Sequence, residues 1–148
     1  MARLTLPIDA AGTPEEVFDY LADFSTTAEW DPGVVEARRL DEGPLRVGSR
    51  FEVVVSFYGS RSRFEYELTA MERPHRFRVV GTNGLVTSDD DVAITPVAGG
   101  VRVTYDAKLA LPWFLAFADP MLSLAFSLAG PASAEGMRRT LERRFRAH

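Results

Sequence analysis

Three consecutive aspartates, Asp89-Asp90-Asp91, stand immediately before the apolar alternation of Val92 and Ile94. Along a strand alternate side chains share a face, so if Val92 and Ile94 point inward, Asp90 does as well. A carboxylate facing an apolar cavity keeps its proton to higher pH, where it can move a proton or accept a hydrogen bond from a ligand hydroxyl. The plainer expectation for Asp90 is a place at the strand's frayed end, near water or an arginine. Tyr66 and Tyr105 lie in phase with the apolar residues of their own segments. A buried phenol needs a hydrogen-bond partner, which a backbone carbonyl or water supplies when the role is only packing.

Other chemistries lack their residues. The chain has no cysteine, which excludes disulfides, thiolate nucleophiles and thiolate metal sites. His75 follows Pro74 at a turn, and the second histidine, His148, is the last residue, so no set of convergent metal ligands forms around either. The aspartate triplet matches no calcium-loop spacing. Gly81-Thr82-Asn83-Gly84 is a turn rather than a phosphate cradle. No dinucleotide fingerprint and no Ser-His-Asp order is present. No metal and no cofactor are expected.

At 148 residues the chain suits one domain with a sizeable core. Its net charge of −4 speaks against nucleic acid as a partner. The start, Met1-Ala2-Arg3, leads into alternating residues without a signal-type apolar core, so a cytoplasmic location is expected. Leu109 to Ala129 is almost wholly apolar and about long enough to span a bilayer, but Asp119 sits at its centre between Pro112 and Pro120. A carboxylate at mid-membrane costs roughly 2.5–3.5 kcal/mol, and the prolines interrupt a helix. Buried or lid structure is expected there instead.

The elements that must position Asp90 and the tyrosines follow from periodicity. Leu4, Leu6 and Ile8 alternate as a first strand, followed by helices over about 14–23 and 26–31. Thr13, Pro14 and Glu16 form a capping box for the first helix; Thr26 and Glu29 repeat the pattern for the second. Val34–Leu40 reads as a strand. Phe51, Val53, Val55 and Phe57 then alternate strictly, and Tyr58-Gly59-Ser60 turns the chain back into Phe64, Tyr66, Leu68 and Ala70. Phe77 and Val79, Val86–Thr95, and Val101–Leu109 give three more strands, the last two joined at Ala98-Gly99-Gly100. Strands joined by hairpins make an antiparallel sheet with one apolar face.

Only the C-terminal segment is long enough to cover that face. Phe126, Ala129, Ser133, Met137, Leu141 and Phe145 recur at helical spacing, opposite Arg138, Arg139, Glu142, Arg143 and Arg146. Gly130-Pro131 predicts a kink or break. The small residues from Ala129 to Gly136 either pack closely on the sheet or leave room beneath the helix.

Several of these pieces carry a family resemblance when taken in order. They are the Val17-Phe18 pair in the first capped helix, the Trp30-Asp31-Pro32 stop, Gly48 before a strand, and the hairpin from Thr95-Pro96 through Gly99-Gly100 to Thr104. Together they resemble the SRPBCC superfamily, the START-like group that includes polyketide cyclase/dehydrase and lipid-transport proteins. The resemblance covers residues 1–148 as one ligand-binding domain. It implies an α+β helix-grip fold, in which a curved antiparallel sheet wraps a long C-terminal helix with two short helices after the first strand. It also implies a hydrophobic cavity between them, of roughly 300–1,000 Å³.

On that reading the inward strand residues line the cavity: Phe51, Val53, Val55 and Phe57; Phe64, Tyr66 and Leu68; Phe77 and Val79; Asp90 and Val92; and Tyr105. Phe126, Ala129, Ser133 and Met137 line it from the helix, Trp30 closes one end, and Trp113 and Phe117 form a portal. The expected activity is binding of a small hydrophobic or amphipathic ligand, as carrier or sensor. The alternative is a polyketide cyclase/dehydratase-like enzyme in which Asp90, Tyr66 or Tyr105 moves protons or holds a carbonyl or enolate. A third reading takes the apolar 113–128 segment as a contact surface, with a homodimer favoured over a membrane.

Overall fold

The computed structural model describes residues 2–57 and 59–146, apart from the side chain of Phe57. Seven antiparallel strands form one sheet: β1 (Ala2–Ala10), β2 (Val34–Arg39), β3 (Arg50–Phe57), β4 (Ser60–Glu72), β5 (Arg76–Thr82), β6 (Thr87–Val97) and β7 (Gly100–Ala110). Their order is β1-β7-β6-β5-β4-β3-β2, so every neighbouring pair but β1–β7 is sequential. The chain crosses from one sheet edge to the other between β1 and β2, and uses that crossing to lay α1 (Pro14–Ala22) and α2 (Thr27–Trp30) over the concave face. The long helix α3 (Asp119–Phe145) packs along β1 and against α2. This is the helix-grip arrangement.

Local chemistry sets the helix starts. Thr13 Oγ1 accepts from the Glu16 N–H at 3.2 Å, and Glu16 Oε1 accepts from the Thr13 N–H at 3.0 Å. The box satisfies two of the amides a helix start leaves open. The second box does not form. Asp23 caps a 3-10 turn over Phe24–Thr26 by accepting from the Ser25 N–H at 3.1 Å, and Thr26 Oγ1 donates to the carbonyls of Tyr20 and Asp23 instead. Of the kink or break expected at Gly130-Pro131, the break is absent, because α3 runs continuously with Pro131 inside it. Its C-terminal half is anchored: Met137 and Leu141 are fully buried, and the packing contacts of this half outweigh the one amide donor that proline removes.

The strands have two ends with different fates. At the end covered by α1, Phe51, Val53, Leu68, Phe77, Val79, Val92, Val101 and Val103 pack solidly with Phe18, Leu21 and Phe24. Phe18 meets Phe77 edge-on at 5.7 Å, and Phe24 meets Phe51 at 6.4 Å. Two or four residues further along β3, β4, β6 and β7, on the same face, the side chains look into open space beneath α3. Charges line the outer face in cross-strand pairs such as Arg76–Asp91, Arg78–Asp89 and Arg3–Asp106.

Candidate functional site

The open end of the grip encloses a cavity of about 340 Å³. Leu4, Leu6 and Ile8 of β1 form one wall, and Val55, Phe64 and Tyr66 of β3 and β4 another. Val86, Ser88, Asp90, Tyr105, Ala107 and Leu109 form the floor, while Leu122, Phe126, Ala129, Gly130, Ser133, Ala134 and Met137 of α3 form the roof. Trp30, Asp31 and Gly33 close the end beside α2. The surface is overwhelmingly apolar, with a few polar groups that converge.

Asp90 is the centre of these. Its side chain is buried, and it receives hydrogen bonds from Tyr105 OH at 2.7 Å on Oδ2 and from Ser88 Oγ at 3.2 Å on Oδ1. Burial pushes its carboxyl up to about 7, against the opposing pull of these two bonds. Near neutral pH it is therefore divided between acid and carboxylate. Asp89 and Asp91, on the other face, are tied to Arg78 and Arg76. Burial likewise raises the phenols of Tyr66 and Tyr105 well above their ordinary value, with the Asp90 charge adding to it, so both stay protonated donors. Tyr66 lies over Gly81, its partner across the ladder. A Cβ at Gly81 would fall 2.6 Å from the Tyr66 ring, so only glycine admits this position of the phenol.

A second carboxyl belongs to the site, one read from sequence only as part of a helix stop. Asp31 Oδ1 accepts from the Gly33 N–H and from Ser133 Oγ, each at 2.9 Å. Burial raises this carboxyl above the usual range, with both hydrogen bonds opposing. The Ser133 bond pins the middle of α3 to the end of α2, and so fixes the roof over the cavity. Trp30 is buried beside it, meets Tyr105 at 6.0 Å, and among the described residues its indole N–H finds no acceptor.

Of the side chains expected at the cavity, Trp30, Val55, Phe64, Tyr66, Asp90, Tyr105, Phe126, Ala129, Ser133 and Met137 line it. Phe51, Val53, Leu68, Phe77, Val79 and Val92 do not: they lie in the half of the sheet that α1 fills and belong to the solid core. Trp113 and Phe117 are 88% and 80% exposed on a 3-10 turn over Trp113–Ala118, outside the lining. That turn connects β7 to α3. Phe57 carries an expectation that falls outside the described side chains. Missed residues include Leu4, Leu6, Ser88, Ala107 and Leu109. Strand parity marked their face in each case, Ser88 sharing it with Asp90 and Ala107 with Tyr105.

Known proteins share this architecture. The chain superposes on the Zhui aromatase/cyclase from Streptomyces sp. R1128 with a TM-score of 0.75 at 16% identity, covering 98% of this chain and 96% of that one. A START superfamily protein from Mycobacterium smegmatis gives 0.73 at 14% identity, covering 97% and 99%. StfQ, a di-domain aromatase/cyclase from the steffimycin biosynthetic pathway, gives 0.73 at 13% identity over 97% of this chain. The chain spans about half of StfQ, 51% of its length. At these identities the likeness is one of fold. No curated protein matches the chain. The family model described as "Polyketide cyclase / dehydrase and lipid transport" matches residues 1–147, so the chain belongs to that family within the START-like SRPBCC group.

Proposed function

We propose that the protein binds a small hydrophobic or amphipathic molecule in the cavity under α3, as a carrier or sensor. One observation carries the reading: the sheet and α3 hold apart over one part of the sheet, leaving about 340 Å³ of apolar space, while another part is solidly packed. Unfilled apolar volume costs stability at about 24 cal/mol per Å³ in measured cavity series, so a void of this size fits a binding site better than a packing defect. Native mass spectrometry of the protein purified from its own cells tests the proposal. A retained small molecule that Ala107→Phe displaces is expected; protein recovered bare, and taking up no apolar probe afterwards, contradicts it.

The second reading, a cyclase or dehydratase, draws on Asp90. A buried carboxyl that is half ionised near pH 7, with a phenol donating to it at 2.7 Å, is suited to moving a proton to or from a bound carbonyl compound. The third reading draws on the outside of α3, where Met121, Leu124 and Leu128 are 76%, 63% and 64% exposed. Sedimentation of wild type and Leu124→Asp decides whether this face pairs two copies. Flotation with phosphatidylcholine vesicles tests it as a membrane contact.

A further inference from the structure

The binding reading leaves open what polar group the ligand carries, and the charge of the cavity wall bears on that. Its lining contains two carboxyls, Asp31 and Asp90, and among the described lining residues no Lys, Arg or His. The arginines of the sheet are spent on the opposite face, as in Arg76–Asp91 and Arg78–Asp89. An anion entering this space would lose its water and find no cation to compensate, beside two carboxyls that repel it to the extent they are ionised.

The polar end beside α2 is also unevenly satisfied. Asp31 takes both of its hydrogen bonds on Oδ1, from Gly33 and Ser133, and among the described residues no donor reaches Oδ2. The neighbouring Trp30 indole N–H is sealed off from the cavity, so it offers a ligand nothing. A ligand group that donates to Oδ2 gains a hydrogen bond there, and the smallest uncharged donor is a hydroxyl.

Building on the binding function proposed above, we infer that the cavity selects a neutral amphiphile whose buried end is a hydroxyl donating to Asp31 Oδ2, and that it excludes anionic amphiphiles. Selectivity here comes as much from repulsion of the wrong headgroup as from attraction of the right one. The apolar remainder of the ligand lies under Phe126 and against Leu4 and Leu6.

Isothermal titration of the full chain with 1-decanol, its methyl ether and decyl sulfate, each below its micelle-forming concentration, tests this. Decanol is expected to bind, the ether roughly three- to tenfold more weakly for want of a donor. The sulfate is expected to bind at least about tenfold more weakly than decanol. Asp31→Asn keeps an acceptor for Gly33 and Ser133 and replaces the second oxygen by a donor, so ether and alcohol should converge. Adding Asp90→Asn should bring the sulfate to within about threefold of the alcohol; if that pair does not fold, Asp31→Asn alone must still narrow the sulfate gap. Nile red, neutral and without a headgroup preference, separates two failures. If Nile red binds but decanol does not, or binds no better than the sulfate, the headgroup inference falls alone. If none of the four binds, it falls together with the binding function.

Discussion

Tyr105 donates a 2.7 Å hydrogen bond to Asp90 Oδ2 diagonally across the β6–β7 ladder, where Asp90 stands opposite Ala107 and Tyr105 opposite Val92. Diagonal neighbours on one face lie within reach of a long side chain, and tyrosine spans the gap that alanine leaves. The bond favours the ionised form of Asp90, yet burial outweighs it and the carboxyl sits at about 7. Tyr105→Phe should therefore move Asp90 further upward. Carboxyl-carbon NMR titration of the two proteins measures this directly, and an unchanged or lowered midpoint in the variant would contradict the assignment.

The same group makes stability depend on pH in an unusual direction. Asp90 is raised when folded, from an ordinary 3.8 to about 7, so the folded protein binds more protons than the unfolded chain between those values. Stability should then be greatest below about pH 4 as far as this group is concerned, and fall as pH rises toward 7, by on the order of a few kcal/mol. Asp31, raised by its own burial, acts in the same sense. Carboxylates lowered by arginines, such as Asp89 and Asp106, act oppositely, but their effect appears only below the ordinary carboxylate range. Between pH 5 and 8.5 the Tm of wild type should fall and that of Asp90→Asn should stay flatter. A variant whose Tm tracks wild type across that window would exclude Asp90 as the source.

Helix α3 meets α2 through Gly136. A Cβ there would lie 2.1 Å from the Trp30 carbonyl oxygen, a backbone atom that cannot swing aside. Gly136→Ala raises helix propensity by roughly 1 kcal/mol, but the clash should win and leave a net loss of about 1–3 kcal/mol. Because Trp30 and Asp31 must shift, the Trp30 environment should change as well. Chemical denaturation followed by tryptophan fluorescence reads both effects; a more stable variant would mean that the two helices are not in close contact.

The fold was legible because its signals are local. Thr13 with Glu16 marks a helix start, and the alternations of Phe51–Val55, Phe64–Leu68 and Val101–Tyr105 mark strands with one apolar face. Parity from Val92 and Ile94 points Asp90 inward, and it lies there, buried rather than at the frayed strand end that is the plainer expectation. Parity names the face of a strand, however, and not which end of that face is covered. Whether Val92 or Asp90 meets a void depends on where α1 and α3 cross the sheet, a long-range property that no single strand encodes. That is why Phe51, Phe77 and Val79 were expected at the cavity and lie in the core, while Leu4 and Leu6 were read only as strand residues. Asp31 was overlooked for a related reason: its partner Ser133 is 102 residues away.

The space beneath α3 can be closed from the sheet side. Ala107 lines the cavity floor opposite Asp90, so a larger side chain there takes up cavity volume. Titration of wild type and Ala107→Phe with Nile red, beside thermal melts of both, tests the central claim most directly. Wild type should bind the probe at one saturable site, and Ala107→Phe should lose at least about tenfold in affinity while melting within a few degrees of wild type. Wild type that takes up no probe, or a variant that binds it as well as wild type does, would contradict a ligand-binding cavity at this place.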